Sequence, residues 1–243
     1  MLTIRRFQKG DEEILSIMIR RTLREVNYTS PKSELDYLIP HYSPETMVEL
    51  SETGHTYVLE EDGQIIGSGT ILDTSRLQSA LAKRFFISPK NVHAHVYGEH
   101  GDSSFVPWSL VHIANNHVNV YKDSSPDRDR ITWKGEAEYE AIEQFVKTSG
   151  GQVIKAKGAT FYAVAMSVCH LCKCVMSTAG TALTVSTMMH GEYGVDDVCL
   201  STLALVDTTG VRGKIMNHLT DEEVSKLQNS ANKLKEVISQ ITY

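Results

Sequence analysis

GSGTILDTSRLQSALAKRFFISPKNVHAHVYGEHGDS occupies residues 67–103, and the fold is decided there. In its first half Leu72, Leu77, Leu81 and Phe85 fall near helical spacing, which predicts a helix with one apolar face. VHAHVYGEHG (92–101) then reads as a strand running into a glycine-bounded turn. Asp73 and Arg76 stand three apart on the helix and so leave the same face. His100 lies between Gly98 and Gly101 at the strand's end, where a tight backbone path lets an imidazole reach into a cleft. Singly these features have ordinary readings. An Asp and Arg at this spacing form a surface ion pair, a glycine-flanked histidine is a turn residue, and Thr160 of KGAT is a helix N-cap.

Outward from this stretch, α and β signals continue. SLVHIANNHVNV (109–120) reads as a strand, and about Trp133 to Met176 as two helices separated by the Gly150–Gly158 region. TALTVSTMM (181–189) and DVCLSTLALVD (197–207) are strand-like, with Gly191 and Gly194 as turn residues between them. The closing LTDEEVSKLQNSANKLKEVISQI is an amphipathic helix in which Thr220 and Glu223 have capping-box spacing. Upstream, LTIRRF (2–7) is a short strand. Asp11 is the expected N-cap of a helix to about Asn27, with Ile14, Ile17 and Met18 on one face. Pro31 breaks that pattern, YLIPHYSPETMVEL suggests a second short helix, and HTYVLEEDGQIIGSGTI reads as a hairpin turning at Glu61-Asp62-Gly63.

At 243 residues, 41% hydrophobic and 22% charged, the chain suits one large or two small domains with a sizeable core. A net charge of -6 gives no basic face for a nucleic-acid partner. Residues 1–69 hold 7 basic and 12 acidic side chains against 17 and 18 in the rest, which hints at two origins. The N-terminus has no apolar signal-peptide core and no window suits a membrane span, so a cytoplasmic location is expected. Cys169, Cys172 and Cys174 of CHLCKC, with Cys199, then read as reduced thiols. Cys169, His170, Cys172 and Cys174 spread around a helix, so no metal site is expected.

Several segments in order resemble the L-lactate/malate dehydrogenase family: GSGTILDTSRLQSALA, SPKNVHAHVYGEHGDSSFVPWS, KGATFYAVAMS, LTVSTMMHGEYG and LTDEEVSKLQNSANKLKEV. The likeness runs from about Gly67 to Tyr243, and the EHGDS and VPWS forms look like the lactate enzymes. Tyr97 departs from the usual aliphatic residue. The resemblance implies an NAD-dependent reaction between lactate and pyruvate. His100 would be the proton donor and acceptor, Asp73 would hold and charge-stabilise its ring, Arg76 would grip the substrate carboxylate and Thr160 would line the pocket. His93 matches a position that binds fructose 1,6-bisphosphate in allosteric bacterial members, but Gln78 stands where the basic partner belongs. Partners implied are pyruvate or lactate and an oligomer, either of this chain or with dehydrogenase subunits.

The family's opening unit, a strand, G-x-G-x-x-G and a helix, is not found in the sequence, so no intact NAD-binding residues are expected. Residues 1–69 instead resemble the start of a GNAT-type N-acetyltransferase. Gln64-x-x-Gly67-x-Gly69 satisfies that family's acetyl-CoA pattern, but one strand too early, so acetyl-CoA is not the expected cofactor. The expected fold is α/β (α+β): a partial acetyltransferase-like segment over 1–69 and a dehydrogenase catalytic domain over 70–243, without a Rossmann domain. Lactate dehydrogenase activity is expected to be impaired or absent. The alternatives are an acetyl-CoA-dependent acetyltransferase and a non-catalytic protein docking on dehydrogenase subunits.

Overall fold

The computed structural model describes residues 2–25, 43–53, 57–61, 64–65, 67–121 and 135–239. The chain divides into two compact units, Met1–Ile66 and Gly67–Tyr243. In the first, β1 (Leu2–Arg6), α1 (Asp11–Glu25), α2 (Pro44–Thr53), β2 (Tyr57–Glu61) and β3 (Gln64–Ile65) follow in order. β2 is the centre of an antiparallel sheet, with Leu2 opposite Glu61 and Glu60 opposite Ile65. The expected strand and hairpin are therefore present. The residues Asn27, Pro31 and 37–42, and the Asp62-Gly63 turn, lie outside the described residues.

One expectation for α1 is corrected. Asp11 is the first helical residue rather than the cap. Its carboxylate accepts from the Arg5 guanidinium at 2.6 and 2.8 Å and from the Gln8 amide at 2.8 Å. The bond from Arg5 is the main reason its pKa lies below the ordinary carboxylate value. Ile14 and Ile17, read as sharing one face of this helix, are both exposed. Helical spacing fixes which side chains share a face, but not whether anything covers it.

The second unit opens with α3 (Ile71–Phe85), in which Leu77, Leu81 and Phe85 are fully buried as their spacing predicts. Val92, Ala94 and Val96 alternate inward and pack against them in one core cluster. Only β4 (Val92–His93) of that segment forms a ladder, pairing with β5 (His112–Ile113), which pairs in turn with β6 (Asn116–His117). The single strand expected over 109–120 is thus a tight hairpin. Its turn residues Ala114 and Asn115 both have positive φ, 45° and 66°, the twist that two-residue hairpin loops favour. Without a glycine the turn carried no strong sequence signal.

α4 (Glu136–Lys157) and α5 (Tyr162–Val175) form the expected helix pair, with the break at the far end of the expected Gly150–Gly158 region. α4 runs straight through Gly150 and Gly151. It stops at Gly158, whose φ of 79° lets its N–H reach the Ile154 carbonyl at 2.7 Å. A helix-interior glycine costs only about 1 kcal/mol relative to alanine, too little to end a 22-residue helix.

β7 (Thr181–His190) and β8 (Asp196–Asp207) form a long antiparallel pair, extended by β9 (Gly210–Lys214). β9 was missed because GVRGK lacks an apolar alternation. α6 (Asp221–Ser239) closes the fold, and its capping box is made. The Thr220 amide donates to Glu223 at 2.9 Å and the Glu223 amide to Thr220 Oγ1 at 3.3 Å. Glu223 also accepts from the amide and hydroxyl of Ser109, at 3.0 and 2.6 Å. A second core cluster joins Tyr97, Phe105, Met189, Leu200, Leu227 and Ala231. Tyr97 is fully buried, with its hydroxyl donating to Asn217 Oδ1 at 2.8 Å, so its phenol is satisfied inside an apolar core. Among the described residues every strand pairing is antiparallel, and no helix is long and apolar enough to cross a membrane.

Candidate active site

The first turn of α3 is fastened on three sides. The Thr70 amide donates to the Thr184 carbonyl of β7, and its hydroxyl donates to the Val96 carbonyl at 2.5 Å. One turn on, Thr74 accepts the Val96 amide at 3.0 Å and meets the Thr184 hydroxyl at 2.9 Å. Both polar groups of residue 96 are therefore held by threonines four apart on one helix face. Gly98, two residues further, exchanges backbone hydrogen bonds with Ser201 of β8, each 3.0 Å. The 96–98 segment is thus fixed between helix and sheet before it delivers His100. The roles of Thr70 and Thr74 were missed in the sequence. Their i, i+4 spacing beside Asp73 was the available signal.

Asp73 is buried on α3, and it bridges the other two residues. Its Oδ2 accepts from His100 Nδ1 at 2.6 Å, and its Oδ1 accepts from Arg76 Nη1 at 3.0 Å. All three residues that the spacing singled out therefore meet. With Nδ1 committed to the carboxylate, Nε2 is the free nitrogen, and the side chain is 56% exposed, so that nitrogen is accessible. The bond to Asp73 is the main cause that raises the His100 pKa above 6.5. Burial and Arg76 oppose it, and the charges of Asp73 and Glu99 add to it. Such a histidine can carry a proton and is tuned toward its charged form, beside a guanidinium able to take a carboxylate in its fork.

Thr160 sits half-buried between Gly158 and Phe161, two residues before α5 rather than at its N-cap position, which is Phe161. Among the described residues, the hydrogen bonds of Asp73, Arg76 and His100 to one another do not include it. His93 stands exposed on β4 opposite His112, while Gln78 donates to the Ala94 carbonyl at 3.1 Å. The CHLCKC thiols are free and spread from exposed Cys169 to buried Cys174, and no group of potential metal ligands forms among the described residues. Gly69 of the Gln64-x-x-Gly67-x-Gly69 pattern packs against β7 and β8 with φ of 56°. The amides that follow it, Thr70 and Ile71, already donate to Thr184 and Ser68.

The profile of the lactate/malate dehydrogenase alpha/beta C-terminal domain matches residues 70–243. L-lactate dehydrogenase 1 of Clostridium acetobutylicum is 39% identical over 178 residues, covering 73% of this chain and 55% of that enzyme. The L-lactate dehydrogenase of Thermoanaerobacterium saccharolyticum is 38% identical over 179 residues, covering 74% and 56%. Among solved structures, the Clostridium thermocellum L-lactate dehydrogenase superposes with a TM-score of 0.65 at 34% identity, covering 76% of this chain and 58% of that one. A lactate dehydrogenase from a Medee basin deep-sea metagenome gives 0.68 at 32%, covering 74% and 55%. The chain spans a little over half the length of these relatives. Through residues 70–243, it belongs to the lactate/malate dehydrogenase family.

Proposed function

We propose that residues 70–243 are the proton-transfer and carboxylate-binding part of an L-lactate dehydrogenase. The observation that carries this is the bridging of His100 and Arg76 by the buried carboxylate of Asp73. In this reading His100 passes a proton between Nε2 and the oxygen on C2 of pyruvate or lactate. Asp73 orients the ring and stabilises its cation, Arg76 binds the substrate carboxylate, and Thr160 lines the pocket. NAD is the cofactor the relatives' chemistry calls for. The described residues do not fit it by themselves, since none of their strand pairs is the parallel kind that cradles a dinucleotide pyrophosphate. An effector site at His93 is not assigned, because Gln78 supplies no charge beside it.

The first unit is proposed as an acetyltransferase-like segment, supported by its strand–helix–helix–hairpin order. No acetyl-CoA site goes with it, because Gly69 and the amides after it serve the dehydrogenase sheet.

The 243-residue chain assayed alone with pyruvate and NADH at 340 nm is expected to turn over at least about a thousandfold more slowly than the 1–10³ s⁻¹ of ordinary enzymes, since positioning supplies much of such a barrier. Residues 70–243 joined behind the nucleotide-binding half of the Clostridium acetobutylicum relative are expected to regain turnover. His100→Gln should then remove at least about a hundredfold of it. A folded fusion indifferent to His100→Gln would sink the proposal.

A further inference from the structure

We propose that Ser230 of α6 is a positioning residue for His100, acting through Glu99 and Ser103, an assignment that rests on the dehydrogenase reading of the triad. Ser230 lies in the middle of the C-terminal helix, fully buried between the core residues Leu227 and Ala231. A polar side chain in such a place needs partners, and among the described residues its partners are on the loop that carries the histidine.

Its Oγ accepts the Glu99 amide at 2.9 Å and contacts Ser103 Oγ at 2.9 Å. The Ser103 hydroxyl donates to Glu99 Oε1, which also takes the Ser103 amide at 3.2 Å. These bonds allow one proton arrangement: Glu99 N–H to Ser230, the Ser230 hydroxyl to Ser103, and the Ser103 hydroxyl back to the Glu99 carboxylate. The ring begins and ends on the residue before His100. Each member is both donor and acceptor or is satisfied twice, so the bonds orient one another.

Gly98 makes room for this pin. Its φ is +97°, and a Cβ there would lie 2.8 Å from Ser230 Oγ. The loop is thus fastened to β8 through Gly98 and to α6 through Glu99, and His100 projects from the second fastening toward Asp73. The ring also fixes where the Glu99 charge sits relative to the imidazole, and that charge is one of those favouring the protonated ring, with Asp73 for it and Arg76 against it.

The test uses the whole 243-residue chain and no cofactor. His100 is titrated by NMR and Glu99 amide exchange is followed in wild type, in Ser230→Ala and in Ser225→Ala. Ser225 is an exposed serine of the same helix whose hydroxyl donates to the Asp221 carbonyl of its own turn. Ser230→Ala is expected to speed Glu99 exchange about tenfold and to lower the His100 midpoint, with Ser225→Ala changing neither. An unchanged His100 midpoint in Ser230→Ala overturns the assignment. Should that variant not fold, Ser103→Ala, which breaks the ring from a less buried side, is expected to shift both in the same direction, and no shift overturns it equally. The dehydrogenase reading is judged separately, by the wild-type midpoint itself.

Discussion

Gly69→Ala is expected to destabilise the Gly67–Tyr243 unit by about 2–5 kcal/mol, a large part of the 5–15 kcal/mol that holds a typical domain folded. A Cβ at this position would stand 2.5 Å from Ser201 Oγ, 2.6 Å from the Ser186 amide nitrogen and 2.9 Å from the Thr184 carbonyl oxygen. Two of those atoms are strand backbone in β7 and cannot swing aside. The φ of +56° adds the left-handed penalty of about 1–2 kcal/mol to an overpacking cost of about 1–3 kcal/mol. Gly158→Ala is the control: φ is +79° there, but nothing among the described residues lies within 4 Å, so only the backbone penalty applies. Urea unfolding of the three proteins compares them. Equal losses in the two variants would mean that the junction between β7, β8 and α3 is looser than described.

The second large effect is acid lability from His95. Its Nδ1 is buried with no hydrogen-bond partner among the described residues, and burial, with the nearby His93 adding to it, lowers its pKa from 6.5 to about 4. The folded state thus resists a proton that the unfolded chain takes up readily. Stability from this group is present above pH 6.5 and is lost as pH falls toward 4, by about 3 kcal/mol in all. His100 behaves oppositely. Its pKa is raised, so its contribution is present below 6.5 and lost as pH rises through the raised value. The two together predict a stability that falls on both sides of a near-neutral range. Chemical unfolding between pH 7 and 4 should show a shallower acid slope in His95→Gln than in wild type. Matching slopes would place the acid sensitivity elsewhere.

Much of the second unit was legible because its signals are local. Leu77, Leu81 and Phe85 follow the helix period, Thr220 and Glu223 make the capping box their spacing announces, and Asp73 and Arg76 share a face because three residues span a turn. The meeting of Asp73 with His100, 27 residues away, was legible only through family resemblance, since no periodicity brings those residues together. What stayed hidden is long-range or weakly encoded. The Ala114-Asn115 turn lacks the glycine that usually marks it, and β9 has no apolar alternation. Gly150 and Gly151 look like a break but lie in a helix whose remaining hydrogen bonds outweigh them. The clamp of Thr70 and Thr74 on Val96, and the Ser230 ring on Glu99, are contacts between distant segments that one sequence does not display. In the first unit the strand and hairpin could be read, yet burial could not, because Ile14 and Ile17 fit the helical period and remain exposed.

The most direct test is the NMR titration of His100 in the intact chain, repeated in Asp73→Asn. If the buried carboxylate holds Nδ1, wild-type His100 titrates above 6.5 and the isosteric variant brings the midpoint down. A wild-type midpoint at the ordinary value, or one that Asp73→Asn leaves in place, would contradict an imidazole tuned by Asp73 for proton transfer.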